Sequence, residues 1–246
     1  MKIICAGLSK TGTTSLAKAL RILGFIVFDG DEHVNLHLNE WIDVYCDGKS
    51  PDFASMYKDV DAVTDIPPAF WFEEIYEAFP DAKVILTLRD NEDVWVKSWV
   101  KQNEVVHKLG GFFIRMLLKW PYIIVQRIRG RRTVFEVIDP MLNAAFGSVN
   151  SKSTVLFKKK YREHNERVQA VIRKEKLLIY NVKQGWKPLC EFLGCDVPEA
   201  EFPRENVGLS DAHGRISEVF QRRKHEMFVI LAIFAVLVAV LYLLFQ

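Results

Sequence analysis

The chain has 246 residues, with 33 lysines and arginines against 31 aspartates and glutamates, so its net charge is +2 at pH 7. This length allows one α/β domain with a buried core, and so small a charge gives no electrostatic basis for binding nucleic acid. Cys5, Cys46, Cys190 and Cys195 form no CxxC pair and have no His-rich surroundings. Neither a zinc site nor a disulfide framework is therefore expected.

Short apolar runs alternate with helical patterns along the first two thirds of the chain. Runs at residues 3–6, 25–28 and 84–88 predict strands, and a further short strand precedes Pro67 and Pro68, which exclude a helix there. Helical patterns begin near residue 16 and cover residues 36–45, 69–80 and 91–102. This alternation predicts an α/β fold with a doubly wound parallel sheet and helices on both faces.

Ligands of such sheets bind at the carboxyl ends of the strands, and the first of these ends is a Gly-rich loop. Gly7 and Gly12 have the spacing of a nucleotide-hydrolysing P-loop, G-x-x-x-x-G-K-[ST]. Thr13 stands where that loop has its lysine, and the lysine is instead Lys10, two residues before Gly12. The other predicted strand ends carry polar residues at 29–33, 65 and 89–90, so we expect one crevice.

The stretch SKTGTTS resembles the P-K-S-G-T-T-W loop of sulfotransferases that use 3′-phosphoadenosine 5′-phosphosulfate (PAPS) as donor. In that family the lysine binds the bridging oxygen from which the sulfuryl group leaves, and the loop holds the 5′-phosphate. The resemblance implies that Lys10 is catalytic. It also implies a donor loop made of Ser9, Lys10, Thr11, Gly12, Thr13, Thr14 and Ser15.

A second stretch, AKVILTLRDNEDVWVKSW, is similar to the family segment that binds the 3′-phosphate through an arginine and a serine. Arg89 matches the arginine directly. Ser98 lies nine residues after Arg89, whereas the family interval is usually eight, and Lys97 stands at that interval. The resemblance therefore implies a contact from either Ser98 or Lys97.

A third stretch, KLLIYNVKQGWKPLCEFLGCDVP, resembles the closing strand and helix of the family. Tyr180 falls at the adenine-side tyrosine, although residues 181–182 replace the two acids that follow it in the family. The resemblance covers about residues 3–207 and is nearest to a divergent branch of these enzymes. We expect residues 1–207 to form the sulfotransferase-like domain.

Asp65 is the first candidate for the catalytic base. The stretch VTDIP corresponds to the family stretch K-T-H-L-P, whose histidine takes the proton from the acceptor, and a carboxylate can do the same work. The alternative is that Asp65 caps a turn before Pro67. His33 is the second candidate, and its alternative is a surface histidine in an acidic loop.

Residues 105–132 lie where the family has variable acceptor-binding helices. They are apolar and basic, so they can line an apolar pocket, lie at a lipid surface, or form two core helices broken at Pro121. The resemblance implies transfer of a sulfuryl group, without a metal, to a hydroxyl or amine of a lipophilic acceptor. A nucleotide kinase or GTPase, which needs a lysine at position 13, and an inactive membrane-tethered nucleotide-binding module are the alternatives.

The C-terminal end of the chain predicts a membrane anchor. Residues 227–245 contain no charge, proline or glycine, and a helix of this length spans about 28 Å, enough to cross a bilayer. A buried core helix is the alternative. Arg222, Arg223 and Lys224 stand on the side expected to stay cytosolic. We expect a single-pass protein of the endoplasmic reticulum or another endomembrane, with 208–226 as the linker and the catalytic domain in the cytosol.

Overall fold

The computed structural model of the chain describes residues 1–109 and 123–204, together with the two single positions Val229 and Ala232. The predicted transmembrane helix at 227–245, apart from those two positions, and the predicted linker at 208–226 lie outside the described residues, as does the middle of the 105–132 segment. Within the described ranges, no helix combines the length and the apolar character that crossing a bilayer requires.

Five parallel strands form one sheet, which confirms the predicted α/β class. They are β1 (Ile3–Cys5), β2 (Val27–Phe28), β3 (Ala62–Val63), β4 (Lys83–Thr87) and β5 (Leu177–Tyr180). The order across the sheet is β2-β3-β1-β4-β5, and Ile4 of the central strand lies opposite both Val63 and Val84. The chain leaves β1 towards one side of the sheet and returns on its other side at β4, so a switch point lies at the end of β1.

Nine helices are bounded within the described residues. They are α1 (Thr13–Ile22), α2 (Gly30–Leu36), α3 (Leu38–Asp47), α4 (Phe53–Met56), α5 (Phe72–Ala78), α6 (Glu92–Leu109), α7 (Val134–Phe146), α8 (Thr154–Val171) and α9 (Trp186–Leu193). Residues 123–128 are also helical. Short 3-10 turns lie at Lys174–Lys176 and Val182–Gln184.

The helices cover both faces of the sheet, as predicted. Side chains from α3, α4, α5 and α8 pack with Ile4 and Val84 on one face, whereas α1 and α9 pack with Ile3 and Ile85 on the other. Neighbouring residues of a strand point to opposite faces, which is why these apolar runs are buried on both sides. A third apolar cluster joins α6, α7 and α8 to Leu8, the residue that follows Gly7.

The region after β2 differs from the sequence prediction. One helix was predicted over 36–45, but the structure has two, because α2 ends and α3 begins around His37. A capping box starts α2 at Asp29, where the Glu32 carboxylate accepts the Asp29 amide proton at 3.0 Å. The sequence signal for this earlier start is the D-x-x-E spacing of these two residues.

Candidate active site

The loop between β1 and α1, residues 6–12, crosses the carboxyl end of the sheet at very close range. A Cβ atom at Gly7 would lie 1.8 Å from Thr87 Oγ1 and 2.8 Å from the Thr87 amide nitrogen. Gly12 has φ of 109° and caps α1, and a Cβ there would lie 2.7 Å from Val182 Cγ1. Only glycine fits both positions, so the P-loop-like spacing follows from contacts with β4 and with the turn after β5.

Side chains from three distant elements and from the loop itself donate hydrogen bonds to the loop carbonyls. The pairs are His164 Nε2 with Ala6 O at 2.6 Å, Thr11 Oγ1 with Leu8 O at 2.7 Å, Trp95 Nε1 with Ser9 O at 2.9 Å, and Arg89 Nε with Lys10 O at 2.6 Å. A loop carbonyl that accepts such a hydrogen bond points towards its protein donor and not towards a bound anion, which needs N–H or O–H donors. This arrangement favours an anion beside the loop.

The first helix supports the same electrostatic preference. α1 begins at Thr13, its N-cap is Gly12 without a side-chain cap, and its first turn contains no acidic residue. The N-terminus of a helix carries partial positive charge and backbone N–H groups that favour phosphate-like anions. The predicted donor-loop residues from Ser9 to Ser15 therefore lie together at the start of α1.

Lys10 and Asp65 share an unusual backbone conformation. Among the described residues other than glycine, only these two have positive φ, at 71° and 65°. Such a conformation costs on the order of 1–3 kcal/mol and is concentrated at functional sites. The two residues that the sequence nominated as leaving-group cation and base are thus the two strained ones.

Asp65 directly contacts the loop after β1. Its Oδ1 accepts hydrogen bonds from the Ser9 hydroxyl and, at 2.8 Å, from the Ile66 amide, and its Oδ2 accepts one from Thr13 Oγ1 at 3.3 Å. The Asp65 carbonyl also accepts the Ala69 amide proton at 2.8 Å. Part of this bonding fits the alternative that Asp65 caps a turn before Pro67. The contacts with Ser9 and Thr13 also join the predicted base to the predicted donor loop.

Asp29 is a second carboxyl group beside this crevice, where the sequence predicted a polar strand end but no role for this residue. It is 8% exposed, and burial raises the pKa of its carboxyl to about 6, with the charges of Asp65 and Glu32 adding to the rise and Arg21 opposing it. Its neighbour Gly30 would place a Cβ 3.8 Å from Asp65 Oδ2. Its position at the end of β2 was the available sequence signal.

His33 lies inside the protein, so the surface-loop alternative is wrong. Its side chain is fully buried, the Tyr57 hydroxyl lies 3.4 Å from Nδ1, and the rings of Phe28 and Tyr57 pack edge-on against it. Burial, with a contribution from His37, lowers the pKa of His33 to about 3. No atom of this ring is exposed to a substrate, which disfavours His33 as the base.

Arg89 contacts the β1–α1 loop, and Ser98 lies on α6, the helix whose Trp95 also bonds this loop. Arg89 follows β4, and its amide donates to the Tyr161 hydroxyl at 3.1 Å while its side chain holds the Lys10 carbonyl. On α6, Ser98 lies one turn after Trp95, which bonds the loop, and it is half-buried, whereas Lys97 is exposed. Residues three apart share a helix face, so this geometry favours Ser98 over Lys97.

Tyr180 does not reach the crevice. It is fully buried at the end of β5, and its hydroxyl donates to the Gly185 carbonyl at 2.7 Å. Phe202 packs edge-on against its ring. This burial leaves no exposed surface for an adenine ring, so the structure does not support the contact that the resemblance implied for Tyr180.

In the ranges that the structure covers, no three His, Cys, Asp or Glu side chains are grouped in a way that suits a metal ion.

Comparison with known proteins places these features in a family. Residues 2–210 match the sulfotransferase domain family, and this range includes the β1–α1 loop, Asp65 and Arg89. The chain is also similar to the Ava biosynthesis cluster protein M of Aspergillus versicolor. The two are 31% identical over 233 residues, which cover 87% of this chain and 84% of that protein.

Proposed function

Because the chain belongs to the sulfotransferase domain family, we propose that it transfers the sulfuryl group of PAPS to a hydroxyl or amine of a lipophilic acceptor. The observation that carries this proposal is the joining of Asp65 to the loop of Lys10 through the hydroxyls of Ser9 and Thr13. This contact brings the Asp65 carboxylate to the loop that carries Lys10, which supports a cation and a base acting in one crevice.

On the donor side, Lys10 supplies positive charge where the leaving group departs. The acceptor oxygen attacks sulfur, the bond from sulfur to the bridging phosphate oxygen breaks, and 3′-phosphoadenosine 5′-phosphate (PAP) leaves with the electron pair. Negative charge grows on that phosphate oxygen, so a fixed ammonium group lowers the barrier. Arg89 and Ser98 would hold the 3′-phosphate, since a guanidinium fork suits a phosphate.

On the acceptor side, Asp65 takes the proton that the attacking hydroxyl loses. A positioned general base of this kind is worth about 10²–10⁴ in rate. The name of the Aspergillus relative refers to a biosynthesis cluster, which supports a biosynthetic small molecule as acceptor. An apolar acceptor side fits the composition of residues 105–132.

The two competing functions are less well supported. A kinase or GTPase needs a lysine next to the second glycine, and the side chain at that position is Thr13, which bonds Asp65 at 3.3 Å. An inactive binding module does not require Lys10 and the Asp65 carboxylate beside one loop. It also does not require a strained backbone at both residues.

The membrane assignment is part of the same proposal. Residues 227–245 would anchor residues 1–207 to the cytosolic side of the endoplasmic reticulum or another endomembrane, with 208–226 as linker. An anchored enzyme meets lipophilic acceptors where they concentrate.

Turnover of radiolabelled PAPS by Asp65→Asn, across acceptors of graded pKa, tests the proposal. We expect a loss of about 10²–10⁴ for alkyl alcohols, since they need a base, and a smaller loss for acidic phenols that arrive partly ionised. The matched control is Asp61→Asn, because Asp61 lies just before the other end of β3, where it accepts the Ile26 amide proton at 3.0 Å. A wild-type-like response of Asp65→Asn to every acceptor would remove Asp65 from the chemistry.

A further inference from the structure

The Asp65 carboxylate and a bound donor would compete for the same two hydroxyl protons, those of Ser9 and Thr13. Ser9 and Thr13 each have one hydroxyl proton, and both side chains donate to the Asp65 carboxylate. The same two side chains belong to the loop that would hold the donor. Phosphate and sulfonate oxygens accept hydrogen bonds and cannot donate them at neutral pH, so each hydroxyl can serve the ligand or Asp65, but not both.

The carboxylate of Asp65 is thus an anion beside the loop that would hold the anionic donor. It lies against a loop whose carbonyls are turned away and beside a helix N-terminus without acidic residues. The hydroxyls of Ser9 and Thr13 donate to its two oxygens, one to each. The Ile66 amide also donates to this carboxylate, at 2.8 Å.

We propose that donor binding switches the hydroxyls of Ser9 and Thr13 from Asp65 to the phosphosulfate, so that Asp65 becomes available as base only in the donor-loaded protein. This inference rests on the proposed function and adds a coupling between its two halves. Ser9 and Thr13 are positioning residues in this scheme. The empty protein keeps its base occupied, and the loaded protein presents it to the acceptor.

The exchange predicts how strongly Ser9→Ala changes the affinity for PAP. In the wild-type protein, Ser9 loses a bond to Asp65 when it gains one to PAP, so Ser9→Ala should change PAP affinity by less than about threefold. Without the Asp65 carboxylate, Ser9 gains a bond to a charged phosphate at no such cost. Ser9→Ala should then weaken PAP binding by about tenfold or more, the usual effect of losing such a bond.

A double-mutant cycle measured by calorimetry with PAP on the full-length protein in detergent tests this. Asp65→Gly removes the carboxylate and suits the backbone, because φ at this position is 65°. Asp65→Ala serves as a second background in case the glycine variant folds poorly. Asp29→Asn is the matched control background, since it removes a nearby carboxylate that has no bond to Ser9 among those described.

The cycle has three decisive results. Strong coupling between Ser9 and Asp65, with none between Ser9 and Asp29, supports the exchange. PAP binding with an equal effect of Ser9→Ala in all backgrounds overturns the exchange and leaves the proposed function standing. Failure of the wild-type protein to bind PAP at all overturns the proposed function and this inference together.

Discussion

At the scale of single residues, Lys10 and Asp65 were predictable because each has a local sequence signature. Lys10 lies at a fixed distance from Gly12, and Asp65 lies in a short stretch before two prolines. Neither their positive φ values nor their link through Ser9 was predictable, because these depend on how β1 and β3 lie side by side. Both features came from tertiary contacts.

Other residues of the site have no local signature at all. Trp95 and His164 bond the carbonyls of Ser9 and Ala6 from α6 and α8. Trp95 lies in the helical pattern predicted over 91–102, whereas no element was predicted around His164, and only the folded arrangement brings both to the loop. Tyr180 is the opposite case, since its local resemblance was clear but its side chain packs into the core.

The first prediction concerns Asp29 and the pH dependence of stability. Its pKa rises from 3.8 to about 6 on folding, so between these values the native state holds a proton that the unfolded state has lost. The free energy of unfolding therefore falls as pH rises through this window, by up to about 3 kcal/mol. Asp29→Asn keeps a capping residue and cannot ionise, so its advantage over wild type should grow from about pH 4 to about pH 7.

Urea denaturation across this pH range measures the difference. Asp31→Asn is the control, because Asp31 is exposed on the same helix. An advantage of Asp29→Asn that stays constant with pH would contradict the assignment.

At the scale of elements, β1 to β4 were predictable because buried parallel strands are short and apolar, whereas the partly exposed β5 was expected only from the resemblance. β2 is shorter than its apolar run, since the amide of Ile26 bonds the Asp61 side chain at 3.0 Å before the ladder begins. The two-helix arrangement of α2 and α3 was missed because the capping box at Asp29 competes with the helical pattern further on. Local capping decided where the helix starts.

The second prediction concerns α8 as a support for the β1–α1 loop. His164 donates through Nε2 to the Ala6 carbonyl, and burial lowers its pKa, which favours the neutral ring. His164→Leu leaves the carbonyl without its donor, which costs about 1–3 kcal/mol. We expect lower thermal stability and weaker PAP binding. His164→Gln, which keeps an N–H donor, should recover much of both.

Comparison with Val168→Ala separates an effect on the loop from a general loss of core packing. Val168 is a buried residue one turn further along α8, in the apolar cluster that also contains Ala6, and its side chain has no N–H or O–H group to donate to a loop carbonyl. Its truncation should lower stability with little effect on PAP affinity in the folded protein. Equal PAP affinity for His164→Leu and wild type would show that α8 does not position the loop.

At the scale of the whole molecule, the third prediction concerns the anchor. All five strands end before residue 181, so deleting residues 227–246 removes no part of the sheet. The truncated protein should stay folded and leave the membrane fraction. The control is a version in which an unrelated transmembrane helix replaces the deleted one, which should return to membranes. Truncated protein that stays with membranes after a high-salt wash would show that another segment holds it there.

The proposed function requires that the crevice binds a phosphosulfate donor and not a nucleoside triphosphate. The most direct measurement is calorimetric titration of PAP into the full-length protein with a chelator present, beside titrations of ATP and GTP with Mg²⁺. We predict that PAP binds. Arg89→Ala should weaken it about ten- to a hundredfold, because losing a charge-assisted contact costs about 1.5–3 kcal/mol. Arg162→Ala, at an exposed arginine paired with Glu92, should not. Binding of ATP or GTP with Mg²⁺ in the absence of any PAP binding would contradict the proposed sulfotransferase function.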